Sequence, residues 1–396
     1  MNPNEHYKFV VRKATINKGK DIEELATIAL LDLRDGFLLP HPITDFIKSV
    51  YADGNNYNTQ KAPAEEIKRF LNWLLIENYE IYRISTLGEL GFHHGVDYLN
   101  HLKNVRKLQR ATVKTANRYL TAFYNFLHTR KILPDHMKLN YIVDRNEKKI
   151  LISPFLEHGA TLPPKKLKED KIKEFPDQRL ITYFLEVAEQ IAPEIAFGIY
   201  LQMFGGLRKG EVVNLTLSSL RPQGPFASQG LTVIIQYHPE LFIHLKDTSK
   251  MQVKNERIQP IQIVDYLPRL YEKATLRLQE FHETNPHYAL FVDNDGKPMS
   301  GAVYETRFSK VKKRFFKELS KINSPHLAYL KSVSWETHIG RGIYTNLMAP
   351  IVSSAHELAV LRGDKSLESA LSYMSKLRIK KEVQQGLEDM FGKGEM

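Results

Sequence analysis

The chain has 396 residues, 42% of them hydrophobic and 26% charged, which is typical of a globular protein. It has no apolar run near the roughly 20 residues of a membrane span, and its polar N-terminus lacks the apolar core of a signal peptide, so we expect a cytoplasmic protein. The absence of Cys excludes disulfides, a thiolate nucleophile and Cys-ligated zinc. The formal net charge of +11 favours a polyanionic partner, most simply a nucleic acid.

The length favours two domains of roughly 100–200 residues each, and the first half begins with two different segments. Residues 1–40 are predicted as an N-terminal arm with a possible short strand at Tyr7–Val11. Residues 41–133 have helical periodicity, so they are predicted to form a helical bundle. Three basic residues near its end fit phosphate contacts, although a solvated basic face explains them almost as well: Arg110, Lys114 and Arg118.

Residues 134–178 differ in composition from both flanks, because proline and lysine accumulate there. Proline breaks helices and stiffens extended chain, so this stretch is predicted as a basic linker between the two domains. Its lysines include Lys165 and Lys166, which are candidates for DNA contacts because phosphate neutralisation supplies much of the affinity of such proteins.

Residues 179–396 are predicted as a second, mostly helical domain with a small antiparallel β-sheet. Three strands are predicted, at Leu231–Tyr237, Leu241–Lys246 and Arg257–Val264. The segment between the last two strands carries Lys250 and Lys254.

Four residues in this second domain have a spacing that suits an anion site. His338 and Arg341 are three positions apart, as are Arg208 and Glu211, so each pair shares one helix face. Arginine presents a planar fork of donors that matches phosphate oxygens. Each residue alone also has an ordinary structural explanation, such as an ion pair between Arg208 and Glu211.

Three segments together resemble the signature boxes of the tyrosine recombinases, which include phage integrases, chromosome-dimer resolvases and transposon recombinases. They are G-G-L-R-K-G-E around Arg208, H-I-G-R-G-I-Y-T around Arg341, and L-R-G-D-K-S-L-E-S-A-L-S-Y, which ends at Tyr373. The helical segment R-A-T-V-K-T-A-N-R-Y-L also resembles the end of the family's SAM-like core-binding domain. The resemblance covers roughly residues 41–385. It implies a two-domain DNA clamp, with a core-binding domain followed by a tyrosine-recombinase catalytic domain.

The resemblance implies a site-specific recombinase that cuts and rejoins DNA through a 3′-phosphotyrosyl intermediate, in integration, excision or transposition of a mobile element. Tyr373 would be the nucleophile. Arg208 and Arg341 would bind the nonbridging oxygens, and Glu211 would orient them. His338 would accept or shuttle the proton of the tyrosine.

The family also uses a lysine from the turn between the second and third strands as the general acid. Counting back from Arg257 reaches Gln252, which cannot serve. Judged by strand position, Lys246 fits best, with Lys250 and Lys254 as alternatives.

Two positions depart from the family pattern. Gly342 stands where a histidine is common, and Asp364 stands nine residues before the tyrosine, where a histidine or tryptophan usually donates to the phosphate. A carboxylate repels a phosphate, so Asp364 cannot simply replace that donor.

After Tyr373 an apolar stripe predicts a C-terminal helix, and in the family such a tail docks on a neighbouring protomer. The resemblance therefore implies a homotetramer on double-stranded DNA, associated with the nucleoid, with no metal or nucleotide cofactor. Two alternatives remain. One is a type IB topoisomerase-like enzyme, and the other is a cleavage-deficient DNA-binding protein on the same scaffold, which Asp364 and the uncertain lysine would favour.

Overall fold

The computed structural model of the chain describes residues 5–18, 21–52, 57–143, 147, 149–165, 172–281, 283–285, 287–364, 366–375 and 382–383. The chain folds as two compact units, Met1–Lys168 and Glu169–Met396, each with its own hydrophobic core. In this described part, no helix is both long and apolar enough to cross a bilayer.

The first unit packs small antiparallel sheets against helices. Its strands are β1 (Tyr7–Lys18), β2 (Asp21–Asp32), β3 (Leu38–Pro40), β4 (Tyr141–Val143) and β5 (Lys149–Leu151), paired as β1-β2-β3 and β4-β5. Its helices are α1 (Thr44–Ile47), α2 (Tyr57–Asn72), α3 (Tyr79–Tyr82), α4 (Phe92–Asn104), α5 (Arg110–Thr129) and α6 (Pro154–Glu157). Helix α5 has apolar residues at helical spacing, and they are buried in the core: Val113, Ala116, Leu120, Phe123, Tyr124 and Leu127.

Helix side chains hold the β1–β2 hairpin by binding its backbone. The amide of Asn72 on α2 accepts from Phe9 N at 2.8 Å and donates to Phe9 O at 2.9 Å. The hydroxyl of Thr44 makes the same pair of bonds with the backbone of Ile28, at 3.1 and 3.0 Å. Because these bonds replace water for buried peptide groups, the hairpin is an integral part of the first unit.

The structure divides the chain differently from the predicted segments. Residues 1–40 were predicted as an N-terminal arm, and their Phe9 and Ile28 lie in the core of the first unit. Residues 134–178 were predicted as a linker, but Phe155 and Ala160 lie in that same core, and the division falls between Lys168 and Glu169. The many prolines and lysines dominate the composition of this stretch, but its few apolar residues are enough to anchor it to the core.

The second unit is built from helices around one small sheet. Its helices are α7 (Arg179–Ile191), α8 (Pro193–Phe204), α9 (Lys209–Val213), α10 (Tyr266–Glu280), α11 (Gly301–Lys321), α12 (Leu327–Ser332), α13 (His338–Met348) and α14 (Ala355–Arg362), with a further helical stretch at 368–375. Its strands are β6 (Leu220–Gln223), β7 (Gly230–Ile235) and β8 (Arg257–Ile261), in the order β6-β7-β8. Helix α8 is apolar on every side and is buried at the centre of the unit.

The sheet corrects one predicted strand. The strands at Leu231–Tyr237 and Arg257–Val264 are present as β7 and β8, but Leu241–Lys246 is not a strand. Pro239–Phe242 forms a 3₁₀ turn there, and the last two residues of this turn, Leu241 and Phe242, are both buried. Two consecutive buried side chains do not fit the alternating faces of a strand, and the third strand is β6 instead.

Most of the predicted C-terminal helix lies outside the described residues. Of its apolar stripe, which comprises Leu377, Val383, Leu387 and either Met390 or Phe391, only Val383 is described, and it is exposed.

Candidate active site

The turn between α8 and α9 joins two of the three sequence boxes. Gly206 has φ +67°, and a Cβ there would lie 2.4 Å from the ring of Tyr344 on α13, so only glycine fits. Its carbonyl accepts a hydrogen bond from Nη1 of Arg341 at 2.5 Å. The predicted Gly-Gly turn therefore brings the arginine of α13 to the start of α9.

Glu211 is a buried carboxylate that binds two arginines. Its side chain has no exposed surface, and it accepts from Arg208 N and Arg208 Nη1, both at 2.8 Å. Arg257 on β8 donates to both of its oxygens, at 2.9 and 3.1 Å. Burial alone would raise the pKa of Glu211, but the hydrogen bonds and charge of Arg257 and the charge of Arg208 outweigh it and hold the pKa below its usual value. Glu211 is therefore an ionised anchor beneath Arg208.

Helix α13 carries His338 and Arg341 on one face, as their spacing predicts. The Arg341 side chain is only 2% exposed, and burial followed by the charge of Arg208 lowers its pKa to about 10, so it is still charged at neutral pH. His338 lies at the surface. Partial desolvation by the surrounding protein, followed by the charge of Arg341, lowers its pKa below 6.5. The imidazole is consequently neutral at pH 7.

Asp364 lies where the arginines converge. Its Oδ1 accepts from Arg208 Nη2 at 2.5 Å and from Arg341 Nη2 at 2.6 Å, and its Oδ2 lies 3.3 Å from Arg362 Nη2. It follows Gly363, which ends α14 in a left-handed conformation with φ +62°. One carboxylate oxygen held by two guanidinium groups marks a site built for an anion.

Tyr373 is close enough to this cluster for its charges to act on the phenol. The ring is half-buried beside α13 and α14, with Arg362 Cζ 5.1 Å and Lys173 Nζ 4.7 Å from its centroid. Burial raises the pKa of Tyr373, and the positive charges of Arg362 and Arg341 partly oppose that rise. The phenol is therefore protonated at neutral pH and needs a proton acceptor to react.

Strand β8 and the residues just before it form hydrogen bonds to both the first and the third sequence box. The sequence did not predict these contacts. Gln259 donates to the carbonyl of Leu361 at 3.0 Å, and Asn255, just before the strand, donates to the carbonyl of Gly363 at 2.7 Å. Arg257 lies between them and holds Glu211. The three sequence boxes assign Arg257 no role in the site. A charged residue at the start of a short strand was the available signal.

Arg362 was also missed. It is the third arginine at Asp364, and it stands only two residues before it in the sequence. The signal was an arginine inside the most diagnostic box, two residues before the aspartate that departs from the family pattern.

The structure separates the three candidate lysines. Lys246 follows a turn rather than ending a strand, is exposed and makes no ion pair among the described residues. Lys250 forms an ion pair with Glu305, which also binds Lys209.

Lys254 is exposed and directly precedes Asn255, the residue that binds the carbonyl of Gly363 beside Asp364. Among the three lysines, it is therefore the one whose neighbouring residue contacts the segment that carries the anion site.

The basic residues proposed for DNA contacts lie in the first unit. Arg110 is half-buried and donates to a proline carbonyl at 2.7 Å, so it has a structural bond of its own. Lys114 and Arg118 are exposed on α5, and Lys165 is also exposed. Lys166 lies outside the described residues.

No group of three or more His, Asp or Glu side chains is arranged to hold a metal ion in the described part of the chain.

Comparison with known proteins identifies the fold. No protein-family model matches the sequence, and no curated protein matches it either. A solved structure of the Tn1549 transposon integrase in complex with circular intermediate DNA is 15% identical, with a TM-score of 0.52 over 85% of this chain and 98% of that chain. The same integrase in complex with transposon right end DNA is 16% identical, with a TM-score of 0.52 over 86% and 98%. The chain thus has the mostly α fold of the tyrosine recombinases, as the three boxes predicted.

Gly342 has a structural reason for its departure from the family pattern. A Cβ at this position would lie 2.1 Å from the carbonyl oxygen of Lys173, which passes across α13. The histidine that is common there cannot fit unless this backbone moves.

We therefore predict that Gly342→His destabilises the second unit by about 1–3 kcal/mol, because overpacking against backbone forces the neighbours apart. Chemical denaturation followed by circular dichroism measures the change. Ser309→His, at an exposed position on α11, is the control and should leave the midpoint almost unchanged. An unchanged midpoint for Gly342→His would show that the 172–178 segment yields without cost.

Proposed function

We propose that the chain is a site-specific DNA recombinase that cuts and rejoins DNA strands through a 3′-phosphotyrosyl intermediate. The observation that carries the proposal is the convergence of Arg208 and Arg341 on a single oxygen of Asp364, at 2.5 and 2.6 Å. A nonbridging phosphate oxygen placed there would accept the same two hydrogen bonds. Negative charge grows on such oxygens as phosphorus becomes five-coordinate, so these donors would stabilise the transition state.

The chemistry follows from the groups around that position. The Tyr373 oxygen attacks phosphorus, forming an O–P bond while the bond to the 5′ oxygen breaks. His338 takes the phenolic proton, since its lowered pKa keeps the imidazole neutral and able to accept. A lysine gives a proton to the departing 5′ oxygen. The energy of the original phosphodiester is kept in the phosphotyrosyl bond, so religation is the reverse of cleavage.

Lys254 is the proposed proton donor rather than Lys246, which the sequence favoured. Its neighbour Asn255 contacts the segment that carries Asp364, whereas Lys246 lies beyond a 3₁₀ turn and Lys250 is held by Glu305.

Double-stranded DNA is the proposed partner. The net charge of +11 favours a polyanion, and the exposed Lys114, Arg118 and Lys165 suit phosphate contacts. The Tn1549 transposon integrase, which has this fold, was solved in complex with circular intermediate DNA and with transposon right end DNA, so movement of a mobile element is the proposed context. A tetramer joined through the C-terminal residues is part of the same proposal, as in the resembled family.

A DNA-binding protein that does not cleave is the second candidate. Asp364 favours it, because a carboxylate already fills the position that the phosphate needs. For cleavage, Asp364 has to move away as the phosphate enters.

The two candidates differ in one product. DNA crosslinked to the protein in cells that encode it would be sequenced, and the recovered site rebuilt as a nicked duplex, from which the cut strand diffuses away. We predict a covalent protein–DNA complex that resists detergent, and its complete loss in Tyr373→Phe. Gel electrophoresis followed by peptide mapping measures both.

Tyr329→Phe is the matched control, since that tyrosine is exposed on α12, and it should form the complex normally. Binding without any covalent complex at low salt would reject the recombinase and favour the second candidate.

Cleavage should depend on the neutral form of His338. Because the pKa of His338 is lowered, the imidazole becomes protonated only below pH 6.5, so we predict that the rate falls as the pH drops through a region below 6.5. In His338→Asn this fall in rate at acidic pH, the acidic limb of the profile, should disappear. The slower residual rate should increase with pH up to the range in which Tyr373 ionises. His356→Asn, at an exposed position on α14, should keep the limb. A limb that persists in His338→Asn would assign it to another group.

The proton donor can be identified with a substrate that carries sulfur in place of the 5′ bridging oxygen. A thiolate leaves without a proton, because thiols are far more acidic than alcohols. We predict that Lys254→Ala lowers the rate of cleavage of the ordinary substrate about 100-fold or more. The same variant should cleave the sulfur substrate at nearly the unmutated rate. Lys246→Ala and Lys250→Ala should behave normally on both. The same pattern in Lys246→Ala would restore the assignment made from the sequence.

A further inference from the structure

Arg362 links the anion position to the tyrosine. It is the last residue of α14, and its side chain is only 6% exposed. Its Nη2 lies 3.3 Å from Asp364 Oδ2, and its Cζ lies 5.1 Å from the centre of the Tyr373 ring. A single buried guanidinium thus faces both reacting partners of the proposed chemistry.

The hydrogen bonding around Arg362 is incomplete. Nη1 donates to the hydroxyl of Ser369 at 3.1 Å, but Nε is buried with no hydrogen-bond partner among the described residues. Oδ2 of Asp364 also lacks one, because the 3.3 Å approach from Nη2 does not have hydrogen-bond geometry. A buried charged donor left unpaired costs free energy, so the carboxylate fits this side of the site poorly.

A phosphodiester would fit it better. A carboxylate offers two oxygens, and here one of them takes the bonds from Arg208 and Arg341. A phosphodiester offers two nonbridging and two bridging oxygens in a tetrahedral arrangement. While one nonbridging oxygen binds these two arginines, another oxygen can accept from Arg362.

Arg362 could instead serve only to neutralise Asp364 and to hold the 366–375 segment through Ser369. That role would leave the unused Nε unexplained, as well as the approach to the Tyr373 ring, and it makes different predictions for anion binding and pH dependence.

We infer that Arg362 is a third catalytic arginine, which binds the attacked phosphate and supplies positive charge to the Tyr373 phenolate, in place of the donor that Asp364 lacks. This inference rests on the proposed function. In support, the charge of Arg362 is the largest of those that oppose the rise in the pKa of Tyr373.

Anion binding tests the first half without DNA. Inorganic tungstate is a tetrahedral dianion, and its binding is followed by the rise in melting temperature and by calorimetry. Asp364→Asn vacates the site, so it should bind tungstate at least about tenfold more tightly than the unmutated protein. Adding Arg362→Gln to Asp364→Asn should remove that gain, whereas adding Arg179→Gln, an exposed arginine paired with Asp177, should not.

Cleavage of the nicked duplex tests the second half. Arg362→Gln should slow covalent complex formation about 100-fold, the loss typical of one oxyanion donor. It should also shift the alkaline limb of the pH–rate profile, where Tyr373 ionises, to higher pH, because the phenolate loses the positive charge of Arg362. Arg362→Gln combined with Asp364→His, which restores the family's donor, should recover at least about tenfold. Arg179→Gln should cleave at the unmutated rate.

A purely structural role for Arg362 gives a different result. In one such result, Arg362→Gln cleaves at the unmutated rate with an unchanged pH profile. In the other, cleavage stays slow when Arg362→Gln is combined with Asp364→His, and adding Arg362→Gln to Asp364→Asn does not weaken tungstate binding. Either result overturns the inference. If Arg362→Gln fails to fold, Arg362→Lys keeps the charge and should retain the pH profile. Absence of any covalent complex with the unmutated protein would reject the proposed function instead, and the tungstate result would still decide whether Arg362 binds an anion.

Discussion

The site depends on holding four guanidinium groups close together against their mutual repulsion. Arg208, Arg257, Arg341 and Arg362 are all mostly buried, where like charges repel more strongly than in water. Two carboxylates offset this repulsion. Glu211 binds Arg208 and Arg257, and Asp364 binds Arg208 and Arg341 and lies near Arg362. Arg208 is the only one of the four that both carboxylates bind, so it couples the two halves of the cluster.

The two carboxylates differ in how firmly they are held. Glu211 lies within α9, has no exposed surface and accepts four hydrogen bonds. Its removal would take the ion-pair partner from the buried Arg257 and leave Arg208 with Asp364 alone. Asp364 follows a glycine at a helix end, is 12% exposed and has one oxygen without a hydrogen bond. Glu211 is therefore suited to be a permanent part of the site, and Asp364 is suited to exchange with another anion.

The sequence predicted the fold class correctly, and it also predicted which side chains share a helix face. Helical periodicity is local, so the core stripe of α5 and the shared face of His338 and Arg341 could be read directly. The partners of Arg257 and Arg362 could not be read in this way. Arg257 meets Glu211, 46 residues earlier, only when β8 packs beside α9. Arg362 comes close to Asp364 only because the chain turns at Gly363, where α14 ends. Leu241–Lys246 was wrong as a strand, since its apolar residues face the core from a turn. Lys246 was favoured on the basis of that strand, so this preference has lost its support.

Asp364 also has a consequence for the protein without DNA. A neutral donor at this position, as in the resembled family, would leave Arg208, Arg341 and Arg362 with no common counter-charge until a phosphate arrived. The carboxylate stabilises the empty site, but it is tethered beside the arginines at a high effective concentration, so any phosphate has to compete with it. An additional guanidinium is a direct way to offset that competition, because it binds the phosphate at an oxygen that the carboxylate cannot offer. The charges of Arg362 and Asp364 therefore act together. Replacing Arg362 alone would weaken phosphate binding, whereas replacing Asp364 alone would remove the competing carboxylate and strengthen it.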